Sequence, residues 1–208
     1  MSSNENQLRA AVYVDGCNLF NGMRTAKMRR CYWLDLAGLA KDFARQGQMV
    51  VRTCYFTARV RGNPEKNKRH STYIDALKAR GGVEVIEGSY QLETVFCGSC
   101  RRQINIPKEK QTDTGIATEI VADALRNQWD HAYLISADSD LIPPIRKVRQ
   151  LCPDKRIIVM FPPCRSSDEL RRAANGYFNI NEKTLLANQF PDVVPAGHVL
   201  LKRPEYWS

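Results

Sequence analysis

The stretch AYLISADSDL, residues 132–141, is an apolar run that ends in two aspartates separated by one residue. The run itself is nearly continuous in apolar, aromatic and β-branched residues, as strands covered on both faces are. The helical pattern IRKVRQL follows at residues 145–151. This stretch therefore predicts a buried strand, an acidic loop at the end of that strand and a helix after the loop.

Four more apolar runs have the same character, and helical patterns separate them. The other predicted strands comprise residues 10–15, 49–58, 83–90 and 156–161. The helical patterns are WLDLAGLAKDFARQ, STYIDALKARGG, TDTGIATEIVADALRN and SSDELRRAA, the last with Ser166 and Glu169 at capping-box spacing. Alternating strands and helices predict right-handed crossovers. We therefore expect an α/β fold with a central, mainly parallel sheet flanked by helices.

The chain length of 208 residues favours a single domain. We expect this α/β domain to comprise residues 9–181. The segment QLETVFCGSCRRQINIP interrupts the alternation and predicts a small inserted β-hairpin at about residues 90–108. Residues 182–208 contain a short helical pattern and a Pro-rich tail, which we interpret as a C-terminal extension too short for another domain.

The chain carries 31 Lys and Arg residues against 22 Asp and Glu residues, a net charge of +9. Such an excess favours a polyanionic partner, nucleic acid before all others. The basic residues are clustered, and clusters in loops are typical of phosphate contacts. The cluster RVRGNPEKNKRH supplies the candidate contacts Arg59, Arg61, Lys66, Lys68 and Arg69.

No feature of the sequence indicates a membrane or an oxidising compartment. No apolar run approaches the roughly 20 residues that span a bilayer, and MSSNENQLRA at the N-terminus lacks the apolar core of a signal peptide. The seven cysteines are an odd number and are scattered along the chain, which argues against a disulfide framework. We expect a reduced, cytoplasmic protein without a membrane partner, and the sequence leaves a homo-oligomer open.

Polar residues follow three of the predicted strands at the ends that share one edge of a parallel sheet, where such sheets form their sites. The candidates are Asp15 and Asn18 after the first strand, Asp138 and Asp140 after the fourth, Arg165 and Ser166 after the fifth, and Asp113 at the start of the helix before the fourth strand. The position of Asp113 relative to Ile120 predicts that it lies on the inward stripe of that helix. We expect Arg165 to contact a phosphate group.

Carboxylates gathered at one edge repel one another unless a cation holds them. Mg²⁺ typically uses one or two carboxylates together with waters and substrate phosphates, and such ions promote in-line displacement at phosphorus. The alternative is that these aspartates only cap turns and helices, where Asp is common. For Asp15, Asp113 and Asp138 taken together, we favour the metal site.

Four motifs, YVDGCNLF, EKQTDTGIATEIVADAL, LISADSDLIPPIRKV and FPPCRSSDEL, occur in this order between about residues 10 and 181. Together they resemble the NYN domain of the PIN-like nuclease superfamily, most closely the bacterial stand-alone type with an inserted Cys-x-x-Cys hairpin. The resemblance implies a PIN-like three-layer fold and an Mg²⁺- or Mn²⁺-dependent ribonuclease that cleaves RNA in preference to DNA, and it leaves endonucleolytic or exonucleolytic cleavage open.

The same resemblance assigns roles to the acidic residues. It makes Asp15, Asp113 and Asp138 the metal ligands, and it gives Asn18 and Asp140 the task of positioning ligands or water. Glu119 matches a more variable acidic position of the family. The sequence departs from the family at Ala137, where Gly is usual, and this small change leaves the acids in place.

Other functional classes find less support in the sequence. A haloacid-dehalogenase-like phosphatase needs Asp-x-Asp after the first strand, and there is neither a P-loop nor a nucleophile elbow. A non-catalytic nucleic-acid-binding or scaffold protein with this fold is the main alternative. Phe20, Tyr32 and Trp33 flank a basic cluster, and we expect core packing for the last two rather than base stacking.

The pair Cys97 and Cys100, in the motif CGSC, has metal-ligand spacing but supplies only two of four zinc ligands. We favour a tight turn with incidental thiols over zinc completed by other residues or by a second chain. Redox chemistry is the least favoured of the three interpretations, because a thioredoxin-type motif opens a helix, whereas this motif lies in a predicted hairpin.

Overall fold

The computed structural model describes residues 7–58, 63–96, 98–100 and 102–207. These residues form nine strands, β1 Leu8–Asp15, β2 Gln48–Ala58, β3 Glu84–Phe96, β4 Gln103–Lys110, β5 His131–Ile135, β6 Arg156–Phe161, β7 Gly176–Asn179, β8 Val193–Ala196 and β9 Val199–Lys202. They also form seven α-helices, α1 Gly16–Thr25, α2 Leu36–Phe43, α3 Pro64–Arg80, α4 Thr112–Leu125, α5 Ile142–Leu151, α6 Asp168–Ala173 and α7 Glu182–Ala187. None of the helices in these ranges is long and apolar enough to cross a bilayer.

Seven strands form one sheet in the order β4-β3-β2-β1-β5-β6-β7. All neighbours pair in parallel except β3 and β4, which pair antiparallel at one edge. The chain builds outward from β1 to β3 on one side and from β5 to β7 on the other. The space beyond the carboxyl ends of β1 and β5 is therefore the topological switch point, where open α/β sheets bind their ligands.

Alternate side chains of β1 enter two separate cores, one on each face of the sheet. Val12 and Val14 pack with α1, α2, α3 and α7 on the first face. Ala11 and Tyr13 pack with α4, α5 and α6 on the second face. Because both faces are covered, the strand is apolar from residue 10 to residue 14. The predicted α/β fold, with its parallel sheet between two layers of helices, is confirmed.

The C-terminal residues pack on the first core. β8 and β9 pair antiparallel, and Trp207 is only 7% exposed. Its ring centroid lies 6.1 Å from that of Trp33 and 6.1 Å from that of Tyr73. The Nε1 of Trp33 donates a hydrogen bond of 2.8 Å to the carbonyl of Pro191. This segment therefore completes the aromatic part of the core.

All five predicted strands are present, but β7, β8 and β9 were not predicted. The capping box at Ser166 is wrong. The N-cap of α6 is Ser167, whose hydroxyl accepts a 3.2 Å hydrogen bond from the N–H of Leu170. One residue of difference in the cap shifts the start of the helix, because either serine is a good N-cap by type.

The basic cluster RVRGNPEKNKRH lies largely on a helix rather than in a loop. Asn63 Oδ1 accepts a 2.9 Å hydrogen bond from the N–H of Lys66, and Pro64 occupies the first turn, so α3 begins seven residues before the predicted Ser71. Lys66 and Lys68 are exposed on this helix. Arg59 and Arg61 lie outside the described residues.

β3 and β4 form the hairpin that the sequence predicted, from the pair Ser89 and Lys110 to the pair Phe96 and Gln103. Cys97 lies outside the described residues, and Cys100 has an exposed thiol. The interpretation of CGSC as a turn with incidental thiols stays a prediction.

Arg9 and Asp130 tie the amino end of β1 to that of β5. The backbone N–H of Arg9 donates to Asp130 Oδ2 at 2.7 Å, and its Nη2 donates to Oδ1 at 2.7 Å. The side-chain hydrogen bond from Arg9 lowers the pKa of Asp130 to about 2. Because this folded-state pKa lies below the unfolded value of about 3.9, the pair stabilises the protein above about pH 4 and loses its effect as the pH falls towards 2.

We expect Asp130→Asn to lower the free energy of unfolding by about 1–2 kcal/mol at neutral pH, after allowance for solvent screening of a half-buried pair. The difference from wild type should narrow as the pH falls from about 4 towards 2. Urea denaturation of both proteins across this pH range measures it. A difference that stays constant with pH would contradict the assignment.

Candidate active site

An open cavity of about 320 Å³ lies at the topological switch point. It is lined by Asp15, Cys17, Asn18, Asn21, Gln111, Thr112, Asp113, Asp138 and Arg165. Five of the seven strand-end candidates are among these residues, while Asp140 and Ser166 are not. The sequence pattern thus located the cavity, and the fold supplies the rest of its wall.

Asp15 is a buried carboxylate that hydrogen bonds fix in place. It is the last residue of β1 and the N-cap of α1, and its Oδ1 accepts a 2.8 Å hydrogen bond from the N–H of Asn18. Its Oδ2 accepts a 2.8 Å hydrogen bond from the hydroxyl of Ser136. Only 3% of Asp15 is exposed. Two directed hydrogen bonds leave this carboxylate little freedom to rotate.

Ser136 connects Asp15 to the loop that carries Asp138. Its hydroxyl oxygen accepts a 3.1 Å hydrogen bond from the N–H of Asp138 while the hydroxyl donates to Asp15. Asn18 reinforces the link, because its Oδ1 accepts a 3.2 Å hydrogen bond from the N–H of Ala137. The carboxyl ends of β1 and β5 are thus joined by side chains, and the two aspartates keep a fixed relation.

Two glycines let α1 approach its neighbours closely. A Cβ at Gly16 would lie 2.6 Å from the carbonyl oxygen of Phe56 and 2.6 Å from the ring of Tyr55. A Cβ at Gly22 would lie 2.7 Å from the Cβ of Pro162, in the loop that leads to Arg165. Only glycine fits at either position, so α1 starts directly after Asp15 and keeps Asn18 at the cavity.

Asp113 lines the cavity from the first turn of α4. It is exposed, whereas Ile116 and Ile120, three and seven residues further along the same stripe, are buried. The first turn of the helix extends beyond the sheet into the cavity, where the periodicity no longer means burial. Gln111, which precedes this turn, has φ of 76°, a left-handed conformation that is strained for a residue with a side chain.

Arg165 lines the cavity from the loop after β6, and it carries the one basic side chain among the lining residues. Its N–H closes a turn onto the carbonyl of Pro162 at 3.1 Å, and Cys164 between them has φ of 54°. Its Nε is buried and has no hydrogen-bond partner in the described part of the chain. A buried donor of this kind calls for an acceptor.

Three predicted residues lie away from the cavity. The side chain of Asp140 is exposed, and its backbone N–H donates to Asp138 Oδ1 at 2.9 Å. Ser166 is exposed. Glu119 accepts a 2.7 Å hydrogen bond from Arg52 on β2. Asp140 therefore serves the site through its backbone, and Glu119 belongs to an ion-pair cluster between β2 and α4.

That cluster holds α4 against the sheet. Arg52 also bonds Glu84 at 2.7 Å and pairs with the buried Asp123. The phenol of Tyr13 donates to Asp123. Burial and then this hydrogen bond raise the pKa of Tyr13 well above its usual value, so the phenol stays protonated as a donor. The cluster fixes the helix that presents Asp113.

Sequence reasoning missed four residues of the cavity wall, which are Cys17, Asn21, Gln111 and Thr112. Asn21 lies three residues after Asn18 on α1 and so shares its face, a signal that the helix pattern contained. The bridging role of Ser136 had no signal in the sequence, because its partner Asp15 lies on another strand.

The donor set of the cavity suits a hard divalent cation. Its three carboxylates and the Asn18 amide offer oxygen ligands, the kind that Mg²⁺ and Mn²⁺ prefer. In the described ranges, no three His, Cys, Asp or Glu side chains are grouped closely enough to enclose an ion by themselves. An ion bound through one or two carboxylates with several waters requires no such group, so the residues fit.

Comparisons with known proteins agree on the fold. The family model of the NYN domain matches residues 9–181. A crystal structure of a protein of unknown function from Vibrio parahaemolyticus has a similar fold, with a TM-score of 0.57 and 20% identity over 87% of this chain and 97% of that one.

A curated relative is more similar in sequence. The chain is 26% identical to the 6-hydroxy-3-succinoylpyridine 3-monooxygenase HspA of Pseudomonas putida, over 96% of this chain and 75% of the relative. The name of that protein concerns oxygenation of a pyridine compound.

Proposed function

Because this chain belongs to the NYN domain family, which is part of the PIN-like superfamily, we propose that it is a nuclease that uses a divalent metal ion to hydrolyse phosphodiester bonds in RNA. The four motifs that resemble the family all lie within the matched residues 9–181. The observation that carries the proposal is the meeting of three carboxylates, an amide and a guanidinium around one cavity at the switch point.

The residues of the cavity divide the work of binding. Asp15, Asp113 and Asp138 would hold Mg²⁺ or Mn²⁺, and a bound ion would supply an activated water and neutralise charge that develops at phosphorus. Ser136 keeps Asp15 and Asp138 in register through its two hydrogen bonds. Asn18 has its Oδ1 engaged by Ala137, which orients its amide nitrogen to donate to a water or a phosphate oxygen.

Arg165 would bind the phosphate group that is cleaved. Its place in the wall of the same cavity as the three carboxylates supports this role, because a guanidinium donates charge-assisted hydrogen bonds to phosphate oxygens. In this arrangement, a phosphate group would lie between the guanidinium of Arg165 and a cation held by the three carboxylates. The exposed Lys66 and Lys68 on α3 would extend the basic surface, and Arg59 and Arg61 stay predicted contacts.

One assay tests the proposal and its rivals. The purified protein is incubated with labelled single-stranded and double-stranded RNA and DNA, in Mg²⁺, Mn²⁺ or EDTA. We expect cleavage of RNA that requires the metal. A parallel preparation of Asp138→Asn detects a contaminating nuclease, because such a contaminant would be present in both samples.

The outcomes separate the alternatives. Binding without cleavage in any metal would favour the non-catalytic nucleic-acid-binding protein. Absence of both binding and cleavage would overturn the proposal. The oxygenation named for the Pseudomonas putida relative would then be the reaction to test.

Replacing Arg165 should weaken RNA binding in a salt-dependent way. We expect Arg165→Gln to reduce the slope of log K against log salt for single-stranded RNA by about 0.7, the effect of one lost phosphate contact. Fluorescence anisotropy in EDTA measures binding without cleavage. Arg126→Gln is the matched control. Arg126 is exposed at the C-terminal end of α4, whereas Asp113 at the N-terminal end of that helix lines the cavity. An unchanged slope for Arg165→Gln would place the phosphate elsewhere.

A further inference from the structure

An exposed stripe of α1 leads away from the cavity. Cys17 and Asn21 line the cavity, and residues three or four positions apart share a helix face. Phe20 lies on this side of the helix and is 39% exposed, and Arg24 follows at the next turn, also exposed. The stripe therefore offers an aromatic ring and a cation directly beside the proposed site of cleavage.

Ring contacts continue from this stripe to the C-terminal segment. The centroid of Phe20 lies 4.9 Å from that of Tyr32, and Tyr32 meets the edge of Trp207 at 5.9 Å. Tyr32 and Trp207 are buried at 8% and 7% exposure. They are anchors rather than contact surfaces, and they fix the position of the residue next to Trp207.

That residue, Tyr206, is displayed between two arginines. It is 53% exposed, and the guanidinium carbons of Arg29 and Arg69 lie 4.3 and 4.7 Å from its ring centroid. Arg203 Nη2 donates to the carbonyl of Arg30, which ties the two segments together. Glu65 on the same helix approaches Arg69 only to 4.0 Å, so this acidic contact is loose.

An exposed aromatic ring beside cations is suited to unpaired nucleotides. Bases stack on aromatic side chains whatever their sequence, while basic groups follow the phosphates. Arginine contributes further through its own contact with π systems. Paired bases in a duplex are already stacked on each other and cannot use such a ring unless they are flipped out.

We propose that Tyr206, with Arg29 and Arg69, is a stacking platform for an unpaired base of single-stranded RNA whose backbone follows α1 into the cavity. The inference rests on the proposed nuclease function and specifies its substrate as single-stranded. It also gives the C-terminal segment, which lies outside the residues matched by the family model, a part in substrate binding.

Binding of a short labelled single-stranded RNA and of a duplex of the same sequence, both in EDTA, tests the platform. We expect Tyr206→Leu, which keeps an apolar side chain but has no ring, to bind the single strand about tenfold more weakly than wild type. Its binding to the duplex should be unchanged. Tyr206→Phe keeps the ring and should bind both like wild type.

Tyr177→Leu is the matched control. Tyr177 is 51% exposed on β7 and has Arg171 at 5.0 Å from its ring centroid, so it resembles Tyr206 in exposure and in its cationic neighbour. Thermal melting of each variant checks that the fold is kept.

Two results would overturn the platform proposal without touching the nuclease proposal. One is that Tyr206→Leu binds the single strand with wild-type affinity, and the other is that it loses the same affinity for the single strand and for the duplex. If wild type cleaves RNA in either case, the nuclease proposal stands. Absence of any RNA binding by wild type would overturn both proposals.

Discussion

Asp138→Asn is expected to reduce the rate of metal-dependent RNA cleavage by at least about 100-fold, because a bound metal ion stabilises the transition state by several kcal/mol. The fold should be unaffected. Asn keeps an oxygen that can accept the 2.9 Å hydrogen bond from the N–H of Asp140, and the substitution removes one of three like charges at the cavity. We therefore expect a melting temperature equal to or above that of wild type in the absence of metal.

The measurement is the initial rate of cleavage in saturating Mg²⁺ or Mn²⁺, together with thermal melting in EDTA. Asp154→Asn is the matched control, since Asp154 is an exposed aspartate just before β6, at the opposite end of the strands. Cleavage by Asp138→Asn at the wild-type rate would show that this carboxylate is not a ligand. A large drop in melting temperature would show that its role is structural.

Gly16→Ala should have the largest effect on stability. The added Cβ would lie 2.6 Å from a backbone oxygen of Phe56 and 2.6 Å from the Tyr55 ring. The backbone cannot move aside as a flexible side chain can. We expect the free energy of unfolding to fall by about 3 kcal/mol, and cleavage to fall as well, because relief of the clash shifts the junction of Asp15 and α1.

Urea denaturation of wild type and variant measures this loss. Gly176→Ala provides the control, because no atom lies within 4 Å of a Cβ built there. The control should stay within about 0.5 kcal/mol of wild type. Equal stabilities for Gly16→Ala and Gly176→Ala would mean that α1 has room to move away from β2.

The family and the position of the cavity could be predicted from the sequence, because each depends on short patterns of residues that are adjacent along the chain. A buried strand such as Ala132–Ile135 has a continuous apolar pattern, and the polar residue after it must emerge at the edge of the sheet. Family membership, predicted from four motifs, is confirmed by the match over residues 9–181. The assignment of roles to Asp15, Asp113 and Asp138 stays a prediction.

The elements that the sequence did not predict are those without a strong pattern of their own. β7 has only four residues, which alternate between half-buried and exposed positions at the sheet edge, so its pattern is too short to indicate a strand. The hairpin of β8 and β9 was read as a Pro-rich tail. Its conformation depends on packing against α3, which is distant in sequence.

Contacts between distant residues were also beyond prediction. Glu119 and Asp123 lie one turn apart on α4, but their partner Arg52 lies on β2, 67 and 71 residues earlier. Tyr206 shows the same limit, since its two arginines come from an early 3-10 segment and from α3. Periodicity orders residues along an element and says little about which elements meet.

The aromatic cluster around Trp207 also bears on how this chain can evolve. Trp33 and Tyr73 belong to the family domain, while Phe190 and Trp207 lie beyond its matched end, and each of the first two rings contacts both of the others within one core. A substitution that changes the volume of one ring leaves a void or an overlap at the others. We therefore expect the inherited domain and its appendage to change together at these four positions.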